Sequence, residues 1–246
     1  MEFALSLHHV TKVFEDHSNK HLPVLENINL EIHLGEFFII LGPSGSGKST
    51  LLRVMSGLEK SFRGEVSYAP EISRQDISFI FQQFALLPWL SVYENVELGL
   101  IVRHISKESR HKTIMEELRR LGLEKFAHVY PKALSGGMRQ RVGIARALVT
   151  SPKIIFMDEP FSELDSFTAE ELRKESLSLW QERKPTIIMV THLIGEAIEL
   201  ADRIAVLTPR PGRIEKVMVN SLPRPRQKRS EEFFRMEDQL YKLIKP

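Results

Sequence analysis

Short apolar runs recur along this chain, each closed by a turn and followed by a stretch of helical period. "FFIIL" (37–41) ends in glycines and leads into "KSTLLRVMSGL". "IIFM" (154–157) leads through "DEP" to "TAEELRKESLSLWQER". "TIIMVT" (186–191) leads to "LIGEAIELAD", and "RIAVLT" (203–208) closes the series. Runs this short and this uniformly apolar, separated by helices, predict buried strands of a largely parallel sheet. The expected class is α/β.

The first third has a different period. "LSLHHVTKVF", "ENINLEI" and "GEVSYA" alternate apolar and polar positions, which predicts antiparallel strands beside the α/β core. From about 91 to 150 no strand pattern stands out, and "KESRHKTIMEELRRLGL" is a plain amphipathic helix. This stretch reads as a helical insertion within one domain spanning 1–246. The tail, about 209–246, is richer in proline and arginine, and no repeat or low-complexity block is present.

Composition narrows the classes. The 246 residues are 42% hydrophobic and 27% charged, enough for one large domain. A formal net charge of +2 gives no global argument for a nucleic-acid partner. With no cysteine there is no disulfide framework and no thiolate metal site. The opening "MEFALSLHHVTKVFEDH" lacks the apolar core of a signal peptide. No apolar run approaches the roughly 20 residues that span a bilayer. The expectation is a soluble cytosolic protein, held at a membrane only through something else.

Candidate chemistry begins at "GPSGSGKST" (42–50), which matches the P-loop pattern with a strand before it and a helix after it. Gly42, Gly45 and Gly47 let the backbone turn tightly and aim its N–H groups at phosphate oxygens. The helix dipole begun at Lys48 favours negative charge there. Lys48 can reach the β- and γ-phosphates of ATP, and the Ser49 hydroxyl can ligate Mg²⁺. In "KIIFMDEP" a strand delivers Asp158 to the sheet edge, as a water-mediated Mg²⁺ ligand. Glu159 beside it is placed to polarise an attacking water. Gln82, ending "ISFIFQ", offers a neutral ligand to metal or water, and His192, just past "TIIMVT", can contact a γ-phosphate.

A second anion site is written at "LSGGMRQR". Ser135 is a good N-cap, and Gly136 and Gly137 leave the first-turn amides uncovered. P-loop, "LSGGMRQR", "MDEP" and His192 together, in this order, resemble the ATP-binding-cassette (ABC) ATPases over nearly the whole chain. The resemblance implies that Gly42, Pro43, Ser44, Gly45, Ser46, Gly47, Lys48, Ser49 and Thr50 form Walker A. It makes Gln82 the Q-loop glutamine and Leu134 to Gln140 the signature, with Ser135, Gly136, Gly137 and Gln140 on nucleotide. Asp158 and Glu159 become the Walker B aspartate and catalytic base, Ser162 to Asp165 the D-loop, and His192 the switch histidine. Phe14 is the residue it offers for stacking on adenine, with a core phenylalanine as the alternative.

The resemblance also explains two phosphate sites in one chain. Such cassettes act as head-to-tail dimers, each signature closing on the nucleotide of a second copy. Leu193 and Glu163 depart from the family pattern, and neither change removes a catalytic group. "LLPW" from Leu86, "LSVYENV" and "LADRIAVLTPRPGRI" running into "LPRPR" resemble importers of the nitrate, sulfonate and taurine group. Cassettes for thiamine-precursor-like solutes share much of this. The implied partners are transmembrane permease subunits and, indirectly, a solute-binding protein, with the chain peripheral on the cytoplasmic face of the membrane. The apolar segment Phe84 to Leu90 is then either subdomain core or a permease-docking surface. A nucleic-acid-associated cassette would need a coiled-coil insertion or tandem cassettes, and a P-loop kinase leaves "LSGGMRQR" unexplained. The basic "RPRQKR" (224–229) reads as a solvated charge cluster.

Overall fold

The structure, a computed structural model, describes residues 2–15 and 21–245. In chain order it forms β1 (Phe3–Glu15), β2 (His21–His33), β3 (Phe37–Leu41), α1 (Lys48–Met55), β4 (Arg63–Tyr68) and β5 (Ile77–Ile80). There follow α2 (Val92–Val102), α3 (Lys107–Arg120), α4 (Gly136–Leu148), β6 (Ile154–Asp158) and α5 (Ser166–Arg183). The chain closes with β7 (Thr186–Thr191), α6 (Ile194–Leu200), β8 (Arg203–Leu207), β9 (Ile214–Val219) and α7 (Glu231–Ile244). Two compact units result, residues 1–73 with 183–246, and residues 74–182.

The first unit carries two kinds of pairing. β1 lies between β2 and β4, antiparallel to both, as the alternating pattern predicts. β3 pairs in parallel with β7 on one side and β8 on the other, and β9 adds antiparallel to β8. All five residues of β3 and all six of β7 are buried, which is why these strands show no alternation. Phe37, Phe38, Ile39 and Ile40 are wholly inaccessible. Burying a side chain of this size contributes roughly 1.5–3 kcal/mol.

In the second unit β5 and β6 pair in parallel, Ile80 opposite Met157, and helices make up most of the rest. Among the described residues no strand lies between 91 and 150. Each long helix there starts from a capping side chain, of which Ser135 is the one read from the sequence. Ser91 and Glu94 form a reciprocal capping box on α2, Ser106 caps α3, Ser135 caps α4, and Asp165 accepts from the first amides of α5.

The tail departs from expectation. It contains a strand, β9, and a strongly amphipathic helix, α7, that buries Phe233 and Leu240. Nor is "RPRQKR" wholly solvated, although Gln227, Lys228 and Arg229 are exposed. Arg224 and Arg226 are half-buried, and their guanidinium groups bond main-chain carbonyls at the end of α6. A charge run looks alike in sequence whether its partners are water or backbone carbonyls brought from elsewhere.

Candidate functional site

The first unit builds a phosphate loop. β3 ends at Leu41, the chain turns through Gly42 to Gly47, and α1 begins at Lys48. Gly47 caps that helix at φ +99°, a left-handed conformation that glycine adopts without penalty. The loop is fastened at Ser46 N–H, which donates to Pro43 O at 3.3 Å, and at Leu51 N–H, which donates to Gly47 O at 2.8 Å. The Lys48 ammonium lies across the loop and donates to the carbonyls of Gly42 and Pro43, both at 3.0 Å.

Ser44 and Gly45 form the exposed tip, and Ser49 and Thr50 are half-buried in the first turn of α1. Ser46 is buried and its hydroxyl has no hydrogen-bond partner. An orphaned hydroxyl, an ammonium and the N-terminus of α1 in one loop are the donors a phosphate chain takes up. The residues therefore fit a nucleotide.

His192 belongs to the same edge. Leu41 and Thr191 are paired across β3 and β7, so the residues that follow them, Gly42 and His192, leave adjacent strand ends together. The His192 side chain is exposed. Phe14 is not a core residue. It lies 39% exposed near the end of β1, and the Lys12 ammonium sits 4.3 Å from its ring centre. Of the two alternatives for this residue, the structure excludes burial.

The second unit holds the remaining groups. Asp158 ends β6 and is buried, whereas Glu159 is partly open and has a positive φ of 41°. Gln82 follows β5 by two residues, and its amide donates to the Ser162 hydroxyl at 3.2 Å. Ser162 Oγ in turn donates to Glu159 O at 3.0 Å. Ser135 is exposed at the start of α4 and accepts from Met138 N–H at 3.2 Å, with Gly136 and Gly137 half-exposed behind it. Gln140 requires a correction. It is wholly buried on the inner face of α4, with neither polar atom hydrogen-bonded, so its side chain is absent from the surface that Ser135 presents.

The apolar segment after Gln82 is held from beneath. Asn95, fully buried on α2, accepts from Leu87 N–H at 2.8 Å and donates to the carbonyls of Leu87, Leu90 and Ser91. Arg146, whose burial lowers its pKa from the ordinary arginine value, bonds the carbonyls of Phe84 and Ala85. The segment is thus fixed, and Trp89 is left 69% exposed. Sequence reasoning passed over Asn95 and Arg146, although a lone asparagine inside the apolar face of a helix is a visible signal.

It also passed over Gly212. This residue pairs with Leu25, donates to Val24 O at 2.8 Å and accepts from Glu26 N–H at 3.0 Å. A Cβ here would stand 2.4 Å from Ser46 O. The "PRPGR" turn therefore seats directly against the phosphate loop.

A P-loop opening a helix beside His192, with a capped signature helix and an acidic strand end in the second unit, defines a cassette-type nucleotide-binding protein. The family model described as ABC transporter matches residues 25–162. An uncharacterized ABC transporter ATP-binding protein of Methanocaldococcus jannaschii is 42% identical, over 100% of this chain and 92% of that one. The aliphatic sulfonates import ATP-binding protein of Bacillus cereus is 44% identical, over 93% and 91%. The nitrate import ATP-binding protein of Synechocystis is 40% identical, over 90% and 88%. A bacterial ABC transporter cassette solved as a dimer superposes with a TM-score of 0.77 at 39% identity, covering 88% of this chain and 98% of that one. The same values hold for a dimeric cassette in a post-hydrolysis state with ADP and Pi. The chain belongs to the ABC transporter family, and it is a cassette ATPase. Among its described residues no helix is long and apolar enough to cross a membrane.

Proposed function

We propose that the chain is the ATP-hydrolysing subunit of an importer for a small oxyanionic solute of the sulfonate or nitrate kind. The observation that carries this reading is the phosphate loop of the first unit, where Lys48, the orphaned Ser46 hydroxyl and the start of α1 converge. The relatives named for sulfonate and nitrate import supply the solute class.

In this reading Lys48 and the loop amides hold the β- and γ-phosphates, and His192 contacts the γ-phosphate. Glu159 takes a proton from the attacking water, and ADP and phosphate are the products. Ser49 in the first unit, and Asp158 and Gln82 in the second, carry the hydroxyl, carboxylate and amide oxygens that would serve Mg²⁺ as hard donors. When bound it would supply charge neutralisation at the phosphate oxygens. Phe14, 39% exposed, is the aromatic ring offered for stacking on adenine.

Two copies act together, each Ser135 and its neighbouring amides closing on the nucleotide held by the other copy's Lys48. The dimeric cassette structures support this assembly. Transmembrane permease subunits dock on the Phe84 to Leu90 segment, and a solute-binding protein feeds them, leaving the cassette peripheral on the cytoplasmic face.

Shared sites are tested by mixing. Ser135→Arg leaves ATP binding to the monomer intact and blocks ATP-dependent association, and Lys48→Ala fails in its own loop. A mixed dimer restores one intact interface, so ATP-stabilised association returns on mixing, read by light scattering in a Glu159→Gln background. No recovery with both variants folded rejects the shared site. The solute is tested by deleting the gene and measuring growth on alkanesulfonates, taurine or nitrate as the sole sulfur or nitrogen source. Unchanged growth on all of them rejects the solute class.

A further inference from the structure

The helix that follows His192 has an unusual lower end. α6 is only seven residues long, starts two residues after His192 and carries no basic residue in its last turn. A helix this short is marginal alone, and its last carbonyls have no partner within it. Side chains from far downstream serve them. Asn220, itself buried, donates to Ile198 O at 2.8 Å. Arg226 donates to Ile198 O at 2.8 Å and to Glu199 O at 3.2 Å, and Arg224 donates to Leu200 O at 2.5 Å. Lys228 pairs with the Glu199 carboxylate at 3.1 Å.

The choice of arginine has a physical reason. A planar guanidinium can bridge successive carbonyls, and its charge complements the negative end of the helix dipole. Burial, and then the neighbouring charge of Arg224, lower the Arg226 pKa to about 10, so it remains a cation at neutral pH.

The same arm reaches the strand that carries the phosphate loop. Arg224 pairs with the Asp202 carboxylate. The other Asp202 oxygen accepts from Phe37 N–H at 2.9 Å, and Asp202 N–H donates to Phe37 O at 2.7 Å. Asp202 O accepts from Asn220 N–H at 2.8 Å, which closes the circuit. Phe37 opens β3, whose far end delivers Gly42.

We infer that the arm from Asn220 to Lys228 is a positioning device for hydrolysis, which clasps the end of α6 and the root of β3 and so fixes His192 against the phosphate loop. This rests on the proposed contact of His192 with the γ-phosphate. Arg226 is a positioning residue that acts through the helix. Loosening the clasp lets α6 fray toward its N-terminus, and His192 then samples orientations that do not meet the γ-phosphate. Lys48 and the loop are left to bind nucleotide as before.

The test uses the full chain with MgATP and compares Arg226→Met, Arg226→Lys, His192→Ala and the double variant His192→Ala/Arg226→Met. Steady-state kcat and KM are read well below the unfolding midpoint, and single-turnover phosphate release reads the slow variants. Arg226→Met is expected to lower kcat about tenfold with KM changed less than about twofold, and Arg226→Lys to recover part of the loss. Added to His192→Ala, Arg226→Met should cost less than about a further twofold, because both changes act on one group. A normal kcat in folded Arg226→Met overturns the inference, as does a full tenfold loss on top of His192→Ala. If Arg226→Met does not fold, Asn220→Leu carries the same cycle. A normal rate for His192→Ala overturns the underlying role of His192, which separates that failure from failure of the clasp alone.

Discussion

Gln82 and Glu159 are joined through one hydroxyl: Ser162 Oγ accepts from the Gln82 amide at 3.2 Å and donates to the Glu159 carbonyl oxygen at 3.0 Å. Ser162 N–H also donates to that carbonyl, at 3.2 Å. These bonds hold Glu159 at φ +41°, a left-handed backbone that costs a residue with a side chain roughly 1–3 kcal/mol. The strain fixes where the carboxylate leaves the end of β6.

The first prediction follows from that placement. Glu159→Gln preserves shape and the Ser162 bonds, which use only backbone of residue 159, but cannot accept a proton. Hydrolysis should fall by about 10²–10⁴-fold while ATP affinity stays near normal. Phosphate release and calorimetry on the purified variant read the two quantities, and near-normal turnover would reject Glu159 as the base.

Gly212→Ala should weaken nucleotide binding although residue 212 touches no nucleotide. The added Cβ meets Ser46 O at 2.4 Å, a backbone atom that cannot swing away, so the phosphate loop itself must shift. Overpacking of this kind costs about 1–3 kcal/mol. Isothermal titration with ATP should show an affinity loss with the protein still folded by circular dichroism, and unchanged affinity would sever the turn from the loop.

Trp89 should report on permease docking. It is 69% exposed on a segment held by Asn95 and Arg146, whereas Trp180 is 5% exposed inside α5. Iodide should quench the fluorescence of a Trp180→Phe variant strongly and that of a Trp89→Phe variant weakly. Addition of permease should protect Trp89. Equal quenching with and without permease would show that the exposed face is not the docking surface.

The cap on α5 makes stability depend on acid. Asp165 accepts from Thr168, side chain and backbone, and from Phe167 N–H, so its pKa lies below the ordinary 3.8. A depressed carboxylate contributes stability that is present above its unfolded pKa and lost as pH falls through the folded value. Asp165→Ala should therefore lower the urea midpoint at pH 7, and its gap to the parent should narrow as pH drops below about 4. A gap constant from pH 7 to pH 3 would show that the carboxylate charge is not what caps the helix.

Much of the candidate site was legible because its signals are local. Gly42 to Thr50 carry turn glycines and helix start within nine residues of the strand end at Leu41, and Ser135 caps the helix that begins beside it. Asp158 ends one strand and His192 directly follows another, and the apolar character of both strands is plain in a five- or six-residue window. Legibility fails at Gln140 for an equally local reason. Its motif places it near Ser135, but one further turn of α4 carries it to the buried face.

The sequence by itself determined the strands ahead of the tail, the Ser135 cap, the phosphate loop and the family, because each depends on residues close together along the chain. Only the tertiary structure decided what distant residues do to one another. "RPRQKR" carries the same charges in water as on a helix end, and nothing within it names Ile198 or Leu200 as its partners. Glycine at 212 reads as an ordinary turn residue until the backbone of Ser46 is packed against it. Asn95 reads as an interruption of an apolar helix until the loop at Leu87 folds back onto its amide. In each case the deciding energy is a hydrogen bond or a steric contact at a separation that no local pattern encodes.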